Sequence, residues 1–199
     1  MRGGSCRPRA WSTVEIHLRL SVPDRPGTLA AVAGAIGRAG GDIAAVGVVE
    51  TEDGQALDDI ELVVDPARLQ DIVEAVRELE EVSVIYVGPS RGLPGDAVAR
   101  LALGIESLLN GAMTLEHAVT TLTGGLLGAS RAELLPSGST PPSGDRVLVL
   151  DFDHQMLVVE RDYRFTDSER ARAAAILRTC LEAARVRRPE VSGRDADQP

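Results

Sequence analysis

The sequence predicts an α+β protein made of two small domains. Three observations support this prediction. Residues 14–22 alternate apolar and polar side chains, which is the period of a half-buried strand. Between residues 14 and 87, strand and helix patterns then follow one another in the order β-α-β-β-α-β. A stretch rich in Pro and Gly, residues 89–96, separates this block from further helix and strand patterns over residues 97–188.

The first strand is predicted at Val14–Val22. Its even-numbered side chains are apolar and face a core, whereas the odd-numbered ones, including His17 and Arg19, are expected on the outer, polar face. Apolar residues at helical spacing between positions 29 and 36 predict a helix after the loop Pro23–Gly27. The pair Gly40-Gly41 is expected to end that helix.

The rest of the first domain is predicted from equally local signals. A β-branched run over residues 42–50 predicts a second strand, Asp53-Gly54 a hairpin turn, and residues 56–64 the return strand. Asp65-Pro66 opens a second helix, and residues 82–87 form a fourth strand. This order is the ferredoxin-like pattern, one antiparallel sheet with both helices on one face. Apolar side chains expected on the opposite face indicate that it is partly covered: Ala44, Val46 and Val48.

Residues 97–188 predict a second, smaller α+β domain. Two helices, one over residues 97–109 and one beginning near Leu115, are followed by a short strand at 131–135. Strands at 146–150 and 156–161 flank a turn at Asp153-His154, and a long helix capped by Thr166 or Asp167 runs to residue 188. Residues 1–13 and 189–199 are predicted to be a disordered leader and tail.

Composition argues against several classes of function. The net charge of −9 disfavours nucleic-acid and anionic-membrane partners, and 3% aromatic residues leave few platforms for base stacking. There is no stretch of 18 apolar residues to span a membrane. Cys6 and Cys180 have neither disulfide nor zinc spacing, so we expect free thiols and a cytoplasmic protein. No metal site and no cofactor are predicted.

The loop Pro23–Gly27 is the strongest candidate for function. Gly27 can adopt a positive φ and allows close backbone approach, while the free N–H groups of the helix that follows favour an anionic group. Pro26 stiffens the loop, and Asp24 can hydrogen-bond local backbone. On this chemistry alone, two interpretations stay open: a site for a small anion, and a tight turn with a purely structural role.

The run Asp24–Ala30, with Val32 and Ile36 on the helix and Gly41-Asp42-Ile43 at the next strand, resembles the signature of the ACT domain. The resemblance covers residues 14–87, within a first domain predicted at residues 14–88, and implies binding of an amino acid or related metabolite between paired domains. It also implies a homodimer and a regulated enzyme or transcription factor as partner.

Carried onto this sequence, the resemblance implies a small-molecule site made mainly of backbone groups. Its residues would be Asp24, Arg25, Pro26, Gly27, Thr28 and Leu29, completed by Asp42 and Ile43, with Ile43 often coming from the neighbouring subunit. Many amino-acid-binding members have Asn in place of Asp42. A carboxylate there would repel a ligand carboxylate but could accept an ammonium group.

Two alternatives remain at this stage. The ACT fold could persist without a ligand, so the protein could be a ligand-free structural or dimerisation module. The second domain resembles an abridged GAF domain, from residues 126–135, the hairpin and residues 165–170, and it could serve dimerisation. The strand ending in Asp151-Phe152-Asp153 is similar to the nucleophile strand of haloacid-dehalogenase-type phosphatases. We favour a hairpin turn at Asp153-His154 over a phosphatase active site. We predict that the protein is not an enzyme.

Overall fold

The computed structural model of the chain describes residues 13–90, 92 and 94–187. The chain divides into two compact units, Met1–Pro94 and Gly95–Pro199. Except for Thr13, the predicted disordered leader lies outside the described residues, and so do Cys6, residue 188 and the predicted tail. The predicted linker, residues 89–96, overlaps the last residue of one strand and the first turn of a helix.

The first unit has the predicted ferredoxin-like order. Its strands form one antiparallel sheet in the order β2-β3-β1-β4. The elements are β1 (Val14–Pro23), α1 (Thr28–Arg38), β2 (Asp42–Glu52), β3 (Gln55–Val64), a 3-10 turn (Pro66–Arg68), α2 (Leu69–Arg77) and β4 (Ser83–Pro89). The α+β fold class and this topology are confirmed.

One apolar core holds the first unit together. Even-numbered residues of β1 and β3, such as Leu18, Leu20 and Ile60, pack with Ile36 of α1 and Ile72 of α2. Both helices therefore cover the same face of the sheet. Burying each of these aliphatic side chains contributes about 1.5–3 kcal/mol, which makes this packing the main source of the unit's stability.

The ends of α1 follow the glycine signals. Gly27 is the N-cap residue at φ 94°, a conformation that few residues other than glycine adopt without strain. At the other end Gly40 has φ 91°, and the N–H groups of Gly40 and Gly41 donate to the carbonyls of Gly37 and Ile36. This is a Schellman motif, which ends the helix where the sequence predicted.

The register of β2 corrects one expectation. Val46 lies opposite Ile60 and Val48 opposite Asp58, so both valines are on the face that carries the helices rather than on the opposite one. The reason is the register shift between Ile43 and Ala45, which comes before both valines and breaks the simple alternation. Both valines are exposed, because β2 is an edge strand.

The helix-free face carries a buried ionic cluster where the sequence predicted an outer polar surface. Arg19 is only 2% exposed and His17 is also buried. Arg19 donates to both carboxylate oxygens of Asp59, at 2.6 and 2.7 Å, and His17 Nε2 lies 2.9 Å from Asp59 Oδ1. His17 Nδ1 lies 3.4 Å from Glu61 Oε1. We call these four residues the Asp59 cluster.

The carboxylates of the Asp59 cluster differ in acidity. Burial alone would raise the pKa of Asp59, but hydrogen bonds from Arg19 and His17 outweigh it and lower this pKa to about 2. Burial raises the pKa of Glu61, and hydrogen bonding to Ser90 and the charge of His17 only partly oppose this. Asp59 is thus the carboxylate whose charge the cluster stabilises.

The second unit is an antiparallel three-stranded sheet with helices before and after it, in strand order β5-β7-β6. Its elements are α3 (Pro94–Leu109), α4 (Leu115–Leu126), β5 (Arg131–Pro136), β6 (Val147–Phe152), β7 (Gln155–Glu160) and α5 (Asp167–Arg187). Its core joins all of these elements, through side chains such as Leu108, Val119, Leu157 and Leu177. The predicted similarity to a GAF domain stays a prediction.

A buried ion pair fixes the start of α5. Arg161 pairs with both carboxylate oxygens of Glu169 and also donates to the carbonyls of Leu127 and Tyr163. Glu169 in turn accepts from the N–H of Thr166, whose hydroxyl accepts from the N–H of Glu169 at 3.2 Å. This is a capping box, and it confirms Thr166 as the residue that caps the helix.

Replacing Arg161 by Met should destabilise the second unit by about 3–5 kcal/mol, because the carboxylate of Glu169 would stay buried without its counter-charge. Urea unfolding followed through NMR signals of α5 measures this loss. Arg185→Met is the matched control. It breaks an exposed pair with Glu182 and should cost less than about 1 kcal/mol. Equal losses in the two variants would contradict the structural role of Arg161.

The Asp59 cluster should make the first unit sensitive to acid. Because the pKa of Asp59 falls from 3.8 to about 2 on folding, its ionised form stabilises the folded state by about 2 kcal/mol above pH 4. This contribution is lost as the pH falls towards 2. Urea unfolding of the wild type and of Asp59→Asn, followed through NMR signals of β1, should show a stability difference that shrinks by this amount between pH 5 and 2. A constant difference would contradict the assignment.

Candidate functional site

The loop after β1 lies at one end of the first unit's sheet, beside two other turns. The N–H of Asp24 donates to the carbonyl of Gly54 at 2.8 Å, which ties the loop to the turn between β2 and β3. The guanidinium of Arg25 lies 2.7 Å from the carboxylate of Glu81, just before β4, in an exposed ion pair. The loop is therefore held from both sides while its own surface stays open to solvent.

The first turn of α1 presents backbone donors that no side chain caps. Gly27 has no side chain to cap the helix, and no neighbouring side chain replaces it. The N–H of Thr28 donates to Arg25 at 3.3 Å, and Ala31 is the first residue to donate back to Gly27. Between them, the N–H groups of Leu29 and Ala30 point out of the start of the helix, where the helix dipole favours negative charge. An anionic group such as a carboxylate fits this position.

A buried carboxylate lies at the same end of the sheet. Asp58 is only 4% exposed and lies on the helix-bearing face of β3, opposite Leu20 of β1 and Val48 of β2. Burial raises the pKa of Asp58, and the charges of Asp59 and Asp24 raise it further. Among the described residues, its Oδ1 atom has no hydrogen-bond partner. An unsatisfied buried acceptor of this kind is unusual in a folded protein.

Exposed apolar side chains lie towards the same end of the first unit. Val48 is 64% exposed, and Val46 and Leu29 are also exposed. The two valines stand on the helix-bearing face of the edge strand β2, and Leu29 is in the first turn of α1. This end of the sheet thus combines backbone donors, an acceptor and apolar surface, the mixture typical of small-molecule sites.

Two of the predicted site residues lie elsewhere within the chain. Asp42 and Ile43 begin β2, and Asp42 pairs with Val63 at the end of the sheet where β1 starts. The 11 residues of α1, about 16 Å long, separate that end from the loop. The structure therefore groups Asp24, Arg25, Pro26, Gly27, Thr28 and Leu29, and leaves Asp42 and Ile43 apart from them in a single copy.

Asp58 is a candidate site residue that the sequence analysis did not identify. It has the same parity as Ile60 and Leu62, which are buried in the core, so the alternation of β3 places an aspartate at a core position. The adjacent Asp59 obscured this pattern, because two consecutive aspartates are typical of a solvent-exposed segment.

The second unit offers weaker candidates. Asp151 is at the exposed end of β6, and Asp153-His154 is the two-residue turn of the β6–β7 hairpin, as predicted. An open cavity of about 510 Å³ lies between the ends of α3 and α5 and the start of α4, with Leu115 and Leu181 in its wall. Its Arg187 is already bonded to the carbonyl of Leu108.

Cys180 is a buried free thiol in α5, and burial raises its pKa to about 11. Such a thiol stays protonated at neutral pH and is a poor nucleophile. Within the part of the chain that the structure describes, there is no group of three or more side chains suited to hold a metal ion. No helix among the same residues is long and apolar enough to cross a bilayer.

Comparison with solved structures finds similar chains of low sequence identity. The regulatory subunit of aspartate kinase from Thermus thermophilus, in its ligand-free form, is 14% identical, with 87% of this chain and 95% of that chain covered at a TM-score of 0.36. The same subunit from Thermus flavus is 15% identical (86% and 93% covered, TM-score 0.34). An unknown protein from Galdieria sulphuraria is 10% identical (85% and 92% covered, TM-score 0.33). No curated protein matches the sequence.

Comparison with family models identifies the first unit. The model of the ACT domain matches residues 16–81, from β1 to the turn before β4, and includes the loop, both helices and the β2–β3 hairpin. The strand order of the sheet and the left-handed Gly27 at the start of α1 agree with the resemblance seen in the sequence. Residues 16–81 therefore match the ACT domain in sequence, and the topology of the first unit agrees with that match.

Proposed function

We propose that this protein binds an amino acid or a related metabolite at the start of α1 and passes that signal to a regulated enzyme or transcription factor. The observation that carries the proposal is the uncapped first turn of α1 behind the left-handed Gly27. This turn offers an anion its backbone donors at a surface held in place by Asp24 and Arg25. A location in the reducing cytoplasm fits the buried free thiol of Cys180.

Pairing of two copies through β2 would complete the site. β2 is an edge strand whose Val46 and Val48 are exposed, and unpaired apolar edges favour association. Two copies that pair antiparallel along β2 bring the start of one strand towards the end of the other. Asp42 and Ile43 of the second copy would then approach the loop of the first, which explains how the two groups of site residues could meet.

A ligand-free dimerisation module is the second candidate function. The same exposed valines favour it, because they give β2 a reason to pair even when the start of α1 is empty. The two candidates differ in whether a small molecule stabilises the protein, which the following experiment measures.

Gly27→Val should abolish ligand binding while the fold is retained. A Cβ at Gly27 meets no atom within 4 Å, but φ 94° strains any residue with a side chain, at a cost of about 1–2 kcal/mol. A thermal-shift screen of the 20 amino acids and their keto acids tests this. In the wild type, a ligand at a hundred times its Kd should add about 2.7 kcal/mol of stability. No shift is expected in the variant.

Gly37→Ala is the control for this substitution. Gly37 lies in the same helix, has open space around its Cβ position and does not have a positive φ. Alanine there should stabilise the helix by about 0.5–1 kcal/mol and leave the ligand shift unchanged. If no compound shifts the wild-type melting temperature, the dimerisation module replaces the proposed function.

Val48→Lys should convert the dimer into a monomer, because a lysine on the edge strand places a charge in the apolar contact. Sedimentation equilibrium measures the change. Val98→Lys, at an equally exposed valine in α3, is the matched control and should leave the association unchanged. A wild-type protein that is monomeric at all concentrations would contradict pairing through β2.

A further inference from the structure

Asp58 is a buried carboxylate, and within the described part of the chain one of its oxygens lacks the hydrogen bond that a buried acceptor normally has. Its side chain lies on the apolar face of the sheet, between Leu20 and Val48, and its Oδ1 is buried without a hydrogen-bond partner among the described residues. The carboxylate of the adjacent Asp59, in contrast, is hydrogen-bonded to Arg19 and His17. On the Asp58 side, the nearby charge that acts on it along the loop is another carboxylate, Asp24.

The position of Asp58 indicates which group could satisfy it. Asp58 lies two residues along β3 from Ala56, which pairs with Val22 directly before the loop. Two carboxylates, Asp58 and Asp24, therefore attract positive charge where the first turn of α1 attracts negative charge. A compound that carries both an ammonium and a carboxylate group matches both attractions. A keto acid lacks the positive group, and a dicarboxylate would bring a second negative charge towards Asp58.

The apolar surface next to Asp58 restricts the ligand further. Val48, directly opposite Asp58, is 64% exposed, and Leu29 in the first turn of α1 is also exposed. A side chain placed between them would gain by removing apolar surface from water. A charged side chain would find no counter-ion on these two residues.

We infer that the site at the start of α1 selects an α-amino acid with an aliphatic side chain, with Asp58 as the acceptor for its ammonium group. The carboxylate of the amino acid binds the N–H groups of the first turn of α1, and its side chain lies against Leu29 and Val48. This inference rests on the proposed function and adds to it a specificity-determining residue outside the loop.

Isothermal titration of the full-length protein tests the inference with matched probes. L-valine and 3-methyl-2-oxobutanoate share a carbon skeleton and differ in the ammonium group, and L-aspartate and L-lysine test the side chain. The wild type should bind L-valine about 10- to 100-fold more tightly than the keto acid, as expected for a charged hydrogen bond to a buried group. Asp58→Asn should lose this preference.

The melting temperature at neutral pH gives a second measurement and a check on folding. Asp58→Asn should melt at a higher temperature than the wild type, because it replaces a buried carboxylate, one oxygen of which has no hydrogen-bond partner among the residues described, by a neutral amide. Asp53→Asn is the matched control. It removes the same charge from the turn at the same end of the sheet, where the side chain is exposed, and should leave binding unchanged.

The outcomes separate this inference from the proposed function. If L-valine and the keto acid bind equally in both the wild type and Asp58→Asn, Asp58 selects nothing, while the site at α1 stands. Tighter binding of L-aspartate or L-lysine than of L-valine overturns the aliphatic specificity. If no probe binds the wild type and Gly27→Val is indistinguishable from it, the proposed function fails and the inference fails with it.

Discussion

The pleat of β3 determines which face of the sheet each of its two consecutive aspartates occupies. Asp58 and Asp59 are consecutive in the chain, so the period of two sends their side chains to opposite faces of the sheet. On the helix-free face, Asp59 meets Arg19 on the neighbouring β1 and is fully satisfied. On the helix-bearing face the same pairing places Asp58 opposite Leu20, whose side chain has no hydrogen-bond donor and no positive charge. One face is therefore closed by an ion network, and the other keeps a buried acceptor that has no hydrogen-bond partner among the described residues.

The position of this acceptor links ligand binding to association. The start of α1, Asp58 and the exposed valines all lie beside the edge strand β2, where a second copy would pair. A ligand that contacts both copies binds the dimer more tightly than the monomer, and it therefore stabilises the dimer by the same free energy. A regulatory module needs no catalytic group to act in this way. It needs only a partner whose activity depends on the paired state.

Local signals sufficed to predict the elements, because glycine and capping requirements are local. Gly27, Gly40 and Thr166 mark helix ends through backbone geometry that neighbours in the chain determine. Exposure could not be predicted in the same way. The alternation of β1 gives the face of Arg19 correctly, but only the folded chain shows that this face is buried. Val46 and Val48 lie on the face opposite to the predicted one because a register shift between Ile43 and Ala45, which the sequence does not signal, interrupts the strand.

The sequence predicted the part of the candidate site that depends on local signals. The loop residues are neighbours in the chain and stay together, whereas Asp42 and Ile43 begin a strand at the other end of the sheet and would join them only through the proposed pairing between copies. Asp58 could have been found from parity alone, since it occupies a core position of β3. Its retention there has a thermodynamic consequence. The free protein carries the cost of burying the carboxylate, so a ligand ammonium group that pairs with Asp58 removes that cost as it binds. A ligand without an ammonium group does not remove this free-energy cost and binds more weakly. A residue that destabilises the free protein thereby contributes to ligand specificity.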